Sequence, residues 1–408
     1  MRAVELFAGA GGLGMGISLA GFKAEAVVEW DRWACDTVRE NVNRGYPPVG
    51  DWPVFEGDVR EWIMDFSCTP NSEGIDLVAG GPPCQPFSMG GKHQAFLDSR
   101  DMFPATVKII RTLRPRAFIV ENVKGLTRPT FHNYYQYIQS QLRLPSLPGR
   151  PDESWLDHHH RLQQALTSPP GQGQLAYHLV PTLVNAANYG VPQRRERVFM
   201  VGFRSDLDSN WQFPDETHSF DALLYAQWVK GEYWDRHRVA KAKRPPMPEA
   251  HRTTIERMRA LGIPPTKLAW RTVRDAIADL PDPEKSIAEK PYNHKFQGGA
   301  RTYAGHTGSP LDLPAKTLKA GDHGVPGGEN MLVRPDGSVR YFTVREAARL
   351  QTFPDGYVFH GAWSETMRQL GNAVPVALAR IVAASVAEKL AEASMREKLA
   401  FLLARVDS

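Results

Sequence analysis

Cysteine is scarce in this chain: three residues in 408, at positions 35, 68 and 84. So small and odd a number, with no CxxC spacing, excludes a disulfide framework and a structural zinc site and suits reduced thiols in a cytosol. A dominant charge is lacking too. Forty-nine Lys and Arg stand against 45 Asp and Glu, a formal net charge of +4. That balance says nothing of nucleic acid until the charge is located along the chain. Unbroken apolar runs of the roughly 18 residues needed to cross a bilayer are missing. The N-terminus goes straight into Val4-Glu5-Leu6-Phe7 with no secretory leader, so no membrane role is expected. Internal repeats are absent. What remains is 42% hydrophobic and 23% charged, enough for a packed core, and long enough for two domains or one with an insertion.

One stretch organises the rest: Gly80-Gly81-Pro82-Pro83-Cys84-Gln85-Pro86-Phe87-Ser88. It follows the apolar run Ile75 to Ala79, which reads as a short buried strand. The loop therefore leaves the C-terminal end of a strand, where open α/β sheets bind their ligands. Three prolines stiffen it by fixing φ. A stiff loop suits a thiol that has to be aimed; a turn with an incidental, inert Cys is the plainer alternative.

The first third reads as a cofactor half. Ala3 to Phe7 is a strand, and Gly9, Gly11 and Gly14 of the next turn satisfy GxGxxG before a helix over Leu13 to Ala20. Glycines there allow a tight turn and a close backbone approach to a ligand. A second strand, Glu25 to Val28, delivers Glu29, twenty residues after Gly9, the offset at which a carboxylate meets ribose hydroxyls. Trp30 offers an aromatic face, Asp31 caps a helix to about Asn43, and a strand near Val54-Phe55 ends at Gly57-Asp58-Val59. Such a turn with an acid serves nicotinamide, flavin and S-adenosylmethionine enzymes alike. No P-loop Lys-Ser/Thr is present, so an uncharged nucleoside link fits better than a pyrophosphate.

Further on, Arg100 to Leu113 has helical periodicity, and Ala117 to Val120 is a strand delivering Glu121 and Asn122. Neighbouring parallel strands would then present Cys84 and Glu121 on one rim. A thiolate beside a carboxyl group is what addition to an electron-poor ring requires: the sulfur attacks while the carboxyl group meets a ring nitrogen. Arg195 and Arg197 alternate before the apolar strand Val198 to Gly202, so in an extended segment they share a face. They could hold a phosphate or a base oxygen, or form a surface ion-pair ladder with Glu196.

ELFAGAGGLGMG, GGPPCQPFS, ENV, QRRERVFMVGF and RQLGNAVP together resemble, in order, the motifs of the cytosine-5 DNA methyltransferase family in its bacterial restriction–modification form. The likeness covers the first two hundred residues and the last seventy. It implies a Rossmann-like, doubly wound α/β sheet that binds S-adenosylmethionine, releases S-adenosylhomocysteine and acts on double-stranded DNA. It implies that Cys84 adds to C6 of a flipped cytosine, that Glu121 engages N3 with Asn122 in support, and that Arg195 and Arg197 hold the base oxygen and a phosphate. On the cofactor side it implies Phe7, Ala8, Gly9, Gly11, Gly12 and Leu13 at the methionine end, closed by Pro82, Asn372 and Val374. Glu29 would take the ribose, Trp30 the adenine face, and Asp58 with Val59 the adenine edge. Gln85, Ser88, Gln193 and Thr317 are implied at the DNA. A monomer in the bacterial cytoplasm, paired in function with a cognate endonuclease, completes the expectation.

The remaining segments are read more coarsely. Tyr134 to Ile138 suggests a helix, and His158-His159-His160 cannot all bind one ion because adjacent helical residues point about 100° apart; no metal is expected. Between Lys230 and Arg274 twelve Lys and Arg face four acids, interleaved with Trp228, Tyr233, Trp234 and Trp270. That pattern suits a phosphate-contacting surface, against a plain solvated face. Arg301, His306, Lys319 and His323 are candidates to read bases, and the loop His323 to Glu329 could enter a groove. Thr343 and Glu346 form a capping box for a helix to about Gln351, and Val376 to about Val406 is a long amphipathic helix. The expected division is a catalytic domain over 1–205 completed by 365–408, and a target-recognition domain over 206–364, with the duplex in the cleft between them. The competing readings are an oxidoreductase using the same glycine turn, a methyltransferase of the same family acting on RNA, and a non-catalytic DNA-binding relative.

Overall fold

The structure, a computed structural model, describes residues 1–83, 101–167, 171, 173–207, 209–285, 291–303, 307–320 and 330–406. Cys84, Gln85, Ser88, His306 and the loop 323–329 lie outside the described residues. The chain forms two compact units. The first comprises Met1–Val184, Glu196–Pro214 and Ala379–Ser408; the second comprises Asn185–Arg195 and Asp215–Leu378.

The first unit is built on a seven-stranded sheet in the order β3-β2-β1-β4-β5-β7-β6. Its strands are β1 (Arg2–Leu6), β2 (Lys23–Glu29), β3 (Val54–Glu56), β4 (Leu77–Gly80), β5 (Ala117–Val123), β6 (Tyr177–Asn185) and β7 (Glu196–Arg204). β1 pairs in parallel with both β2 and β4, and β4 with β5, while β7 runs antiparallel to β5. The chain thus winds one way from β1 through β2 to β3, then returns beyond β1 to β4 and β5. The reversal between β1 and β4 is the topological switch point at which such sheets bind ligands. The helices are α1 (Gly12–Leu19), α2 (Arg32–Asn43), α3 (Val59–Phe66), α4 (Phe103–Leu113), α5 (His132–Arg143) and α6 (Trp155–Ala165). Asp31 caps α2 through the Ala34 amide, as its position before the apolar face dictates. Val4, Leu6, Val28, Val78, Phe118 and Val120 from the central strands meet Phe103, Ile109 and Ile110 of α4 in one core.

The second unit holds the short strands β8 (His218–Ser219), β9 (Leu268–Ala269), β10 (Ser309–Pro310), β11 (Met331–Val333) and β12 (Val339–Tyr341). Its helices are α7 (Phe220–Leu224), α8 (Glu232–Arg236), α9 (Arg252–Leu261), α10 (Val273–Ile277), α11 (Val344–Leu350) and α12 (Trp363–Asn372). The Thr343–Glu346 capping box opens α11. The aromatic residues expected on a basic face are instead interior. Tyr233 and Trp234 are buried with Leu223, and Trp228 and Trp270 pack against them. Aromatic burial carries more free energy than an exposed stacking surface returns in the absence of a ligand.

Last comes α13 (Val376–Val406). The stretch Trp363–Ala400 is long and apolar enough to cross a membrane by length and composition, and 67% of its most apolar window is buried inside the protein. Arg380 interrupts it, which is why no unbroken apolar run stands out in the sequence.

Candidate active site

The C-terminal rim of the first unit's sheet carries Phe7, Gly9, Gly11, Glu29, Asp58, Glu121, Asn122 and Arg197 from among the residues singled out from the sequence. After β1, Phe7 adopts φ 55°, Gly9 φ 55° and Gly11 φ 79°. Phe7 is the unusual member, because a bulky residue in the left-handed region is strained and such strain collects at functional sites. A methyl group built on Gly9 would meet nothing within 4 Å, so the turn opens onto free space. Glu29, at the end of β2, is buried and accepts hydrogen bonds from the amides of Gly9 (2.7 Å), Trp30 (2.9 Å) and Asp31 (2.8 Å). Burial raises its carboxyl above the ordinary carboxylate range, against these three amides. The Trp30 ring is 71% exposed beside it. Asp58 caps α3 through the Arg60 amide and pairs with the Arg60 guanidinium at 2.5 Å, which holds its carboxyl below the usual range.

One strand over, the ends of β4, β5 and β7 converge. Glu121 is 7% exposed, and its Oε1 lies 3.0 Å from Nε of Arg197. A methyl group on Gly81 would come 3.2 Å from Glu121 Oε2, so the loop after β4 backs directly onto this carboxylate. Asn122 donates from Nδ2 to the Pro82 carbonyl at 3.0 Å, and its Oδ1 accepts from the Val123 amide at 2.8 Å. The start of the Cys84 loop is therefore tied to the strand that carries Glu121. Burial lowers the basicity of Arg197, and the Glu121 charge opposes that shift. Above the pair, the exposed Lys124 and Glu196 bridge the ends of β5 and β7 at 2.8 Å.

Arg195 does not share a face with Arg197. The ladder begins at Glu196, and period-two alternation applies only within it. Arg195 is 0% exposed and donates to the carbonyls of Leu318 (3.2 Å) and Gly371 (2.8 Å). Gln193 is equally enclosed, donating to the Leu350 carbonyl and accepting from the Leu318 amide. Neither side chain reaches solvent. Together they stitch the second unit's motif segments: Gln193 bridges Ala315, Thr317 Oγ1 donates to the Arg194 carbonyl at 2.7 Å, and Gln351 donates to the Ala373 carbonyl at 3.1 Å. Asn372 is exposed beside the anchored Gly371, and Val374 is buried. The histidine run is spoken for in part: His158 contacts the Tyr137 hydroxyl and the Leu147 carbonyl, both at 2.9 Å.

The sequence reading passed over Glu5, whose carboxyl lies beneath the glycine turn and accepts from the Gly14 amide at 2.7 Å. The signal was a charged residue within an apolar strand. A cavity of about 380 Å³ over Phe55, Trp62 and Phe66 sits at the start of β2 and β3, on the opposite rim from this chemistry.

Fold and rim define a doubly wound α/β enzyme with a glycine turn at its switch point. The chain belongs to the C-5 cytosine-specific DNA methylase family, whose model matches residues 1–144 and 157–388. It is 32% identical over 398 residues to the Type II methyltransferase M.Eco47II of Escherichia coli, covering 96% of this chain and 80% of that protein. It is 31% identical to M.Sau96I of Staphylococcus aureus, covering 95% and 75%. Among solved structures, an E. coli protein described as a prophage-encoded DNA modification methyltransferase aligns with TM-score 0.56 at 20% identity, covering 96% and 99%. The S. pombe Dnmt2 methyltransferase aligns with TM-score 0.53 at 16% identity, covering 96% and 99%. These last two likenesses bear on the fold alone.

The activity of the chain is therefore cytosine-5 methylation of DNA, which in this family depends on S-adenosylmethionine. The rim fits that molecule. The open space before Gly9 admits a chain of atoms against the backbone, the buried Glu29 is an oriented acceptor for hydroxyl donors, and the uncovered Trp30 offers a flat apolar face.

Proposed function

We propose that the protein is the modification methyltransferase of a bacterial Type II restriction–modification system, marking one cytosine within a specific duplex sequence through a covalent adduct of Cys84. The observation that carries this reading is the buried Glu121–Arg197 pair, with Gly81 backed against it and Asn122 holding Pro82, two residues before Cys84. The names of the Type II relatives support the biological setting.

A cytosine inside a duplex is out of reach of a thiol, so the base has to leave the stack. Cys84 then forms a sulfur–carbon bond at C6, while Glu121 engages N3 and takes up the charge that develops on the ring. Arg197 keeps Glu121 oriented and faces the base oxygen; Asn122 keeps the loop in register. S-adenosylmethionine supplies the methyl group and leaves as S-adenosylhomocysteine. Loss of the C5 proton to water re-forms the C5–C6 double bond, and the C6–S bonding pair leaves with sulfur as the thiolate. Phe7, Ala8, Gly9, Gly11, Gly12, Leu13 and Pro82 would line the methionine end with Asn372 and Val374, Glu29 the ribose, and Trp30, Asp58 and Val59 the adenine. Gln85, Ser88 and Thr317 would touch the DNA, with Gln193 and Arg195 bracing the segment that carries Thr317. In this reading residues 206–364 recognise the target and the rest catalyses, in a cytoplasmic monomer whose endonuclease partner need not bind it.

The test is adduct trapping. Bisulfite sequencing of DNA from expressing cells gives the target, and duplexes carrying 5-fluorocytosine there should form a stable protein–DNA adduct with wild type and none with Cys84→Ala. Methylated duplexes without any sulfur adduct would reject the thiol mechanism.

A further inference from the structure

Glu5 carries a carboxyl group into the middle of the sheet, where it is 4% exposed. Val27 of β2 and Ala79 of β4 flank it in register. Its Oε1 accepts from the Gly14 amide at 2.7 Å; its Oε2 is sealed from solvent and has no hydrogen-bond partner among the described residues. A methyl group on Gly14 would come within 2.0 Å of that oxygen, so only glycine lets α1 settle over the carboxyl. The helix needs this acceptor from outside. Its N-cap is Gly11, it has no side-chain cap, and no acid occupies its first turn, where unpaired amides have to find partners. The glycine turn is thus pinned at both ends by carboxyl groups from neighbouring strands: Gly9 by Glu29 and Gly14 by Glu5.

We propose that Glu5 is a positioning residue for the cofactor turn and acts as the neutral acid, so that cofactor affinity is lost when it ionises. This rests on the reading of Gly9 to Gly14 as the S-adenosylmethionine turn. Among the described residues no cation meets a charge placed there. The neighbours are Gly14 and Ser18 on α1, Val27 on β2, Ala79 on β4 and Trp52 before β3, around a void of about 10 Å³, the least that admits one water. The charged group that acts on Glu5 is another acid, Glu29. Burial raises the Glu5 carboxyl most, the Gly14 amide lowers it, and the Glu29 charge raises it again, for a value of about 8. An ionised Oε2 would need water, and admitting it would force open the packing of α1 over that oxygen, and with it the turn that ends at Gly14.

The experiment is the dissociation constant of S-adenosylhomocysteine for the full chain, by calorimetry from about pH 6 to pH 9.5. Wild type should bind evenly up to about pH 8 and then weaken by about tenfold per unit. Glu5→Gln, which keeps the acceptor and cannot ionise, should bind at pH 7 and lose the alkaline fall; Glu5→Ala should bind weakly at every pH. A wild-type affinity that stays level to pH 9.5, or the same alkaline fall in Glu5→Gln, overturns the proposal. The wild-type profile decides alone should a variant fail to fold. Absence of binding by wild type at pH 7 would reject the cofactor reading instead.

Discussion

Glu121 and Arg197 meet at 3.0 Å because β5 and β7 are antiparallel neighbours that set Val123 opposite Arg197. Glu121→Gln keeps the shape and removes the acid, and methyl transfer in a single turnover should slow by about 10²–10⁴-fold; an unchanged rate would remove Glu121 from the chemistry. Glu5 gives a second residue-scale expectation. Its folded value lies near 8 against 4.5 for the free group, so its contribution to stability is whole below the lower value and is lost as pH rises towards the upper one. The difference in melting temperature between Glu5→Gln and wild type should therefore grow from pH 5 to pH 8; a constant difference would show Glu5 ionised throughout. The placing of Glu121 and Asn122 at the end of β5 was legible because they follow an apolar run. Arg195 and Gln193 were not, since their burial against Leu318 and Gly371 joins residues more than a hundred positions apart.

At the scale of elements, the strands and helices of the first unit follow from local rules. Short runs rich in apolar residues became β1, β2, β4 and β5, and Asp31 marks the start of α2 by its cap, as Thr343 does for α11 in the second unit. Packing between elements obeys no such local rule. Gly16 of α1 lies against α13: a methyl group there would sit 2.4 Å from the Ala379 Cβ and 2.5 Å from the Arg380 nitrogen. Gly16→Ala should cost about 1–3 kcal/mol by overpacking, read as a lower urea midpoint; an unchanged midpoint would mean the two helices separate freely. The aromatics between Phe220 and Trp270 show the same limit from the other side. Composition suggested a surface, but an aromatic ring reads alike in a core and on a face until its neighbours are known.

For the whole molecule, the switch point matters most. Placing β1 between β2 and β4 sets the glycine turn after β1 beside the segment that leaves β4 at Gly80, on adjacent strands. In the second unit, Arg238, Lys241, Lys243, Arg257 and Arg271 are exposed, and none forms an ion pair among the described residues, whereas Arg236, Arg244, Arg252 and Arg274 do. If the free cations meet phosphate, Lys241→Ala with Lys243→Ala should reduce the salt slope of DNA binding by about one per residue; an unaltered slope would leave them as solvated surface. By itself the sequence determined the family and its activity, because five ordered motifs at the ends of apolar strands have few uses in combination. The tertiary structure decided which side chains stand at the site and which stand behind it. Strand order, the exclusion of water around Glu5 and Arg195, and the packing of α1 on α13 depend on contacts between distant segments, which local pattern does not encode.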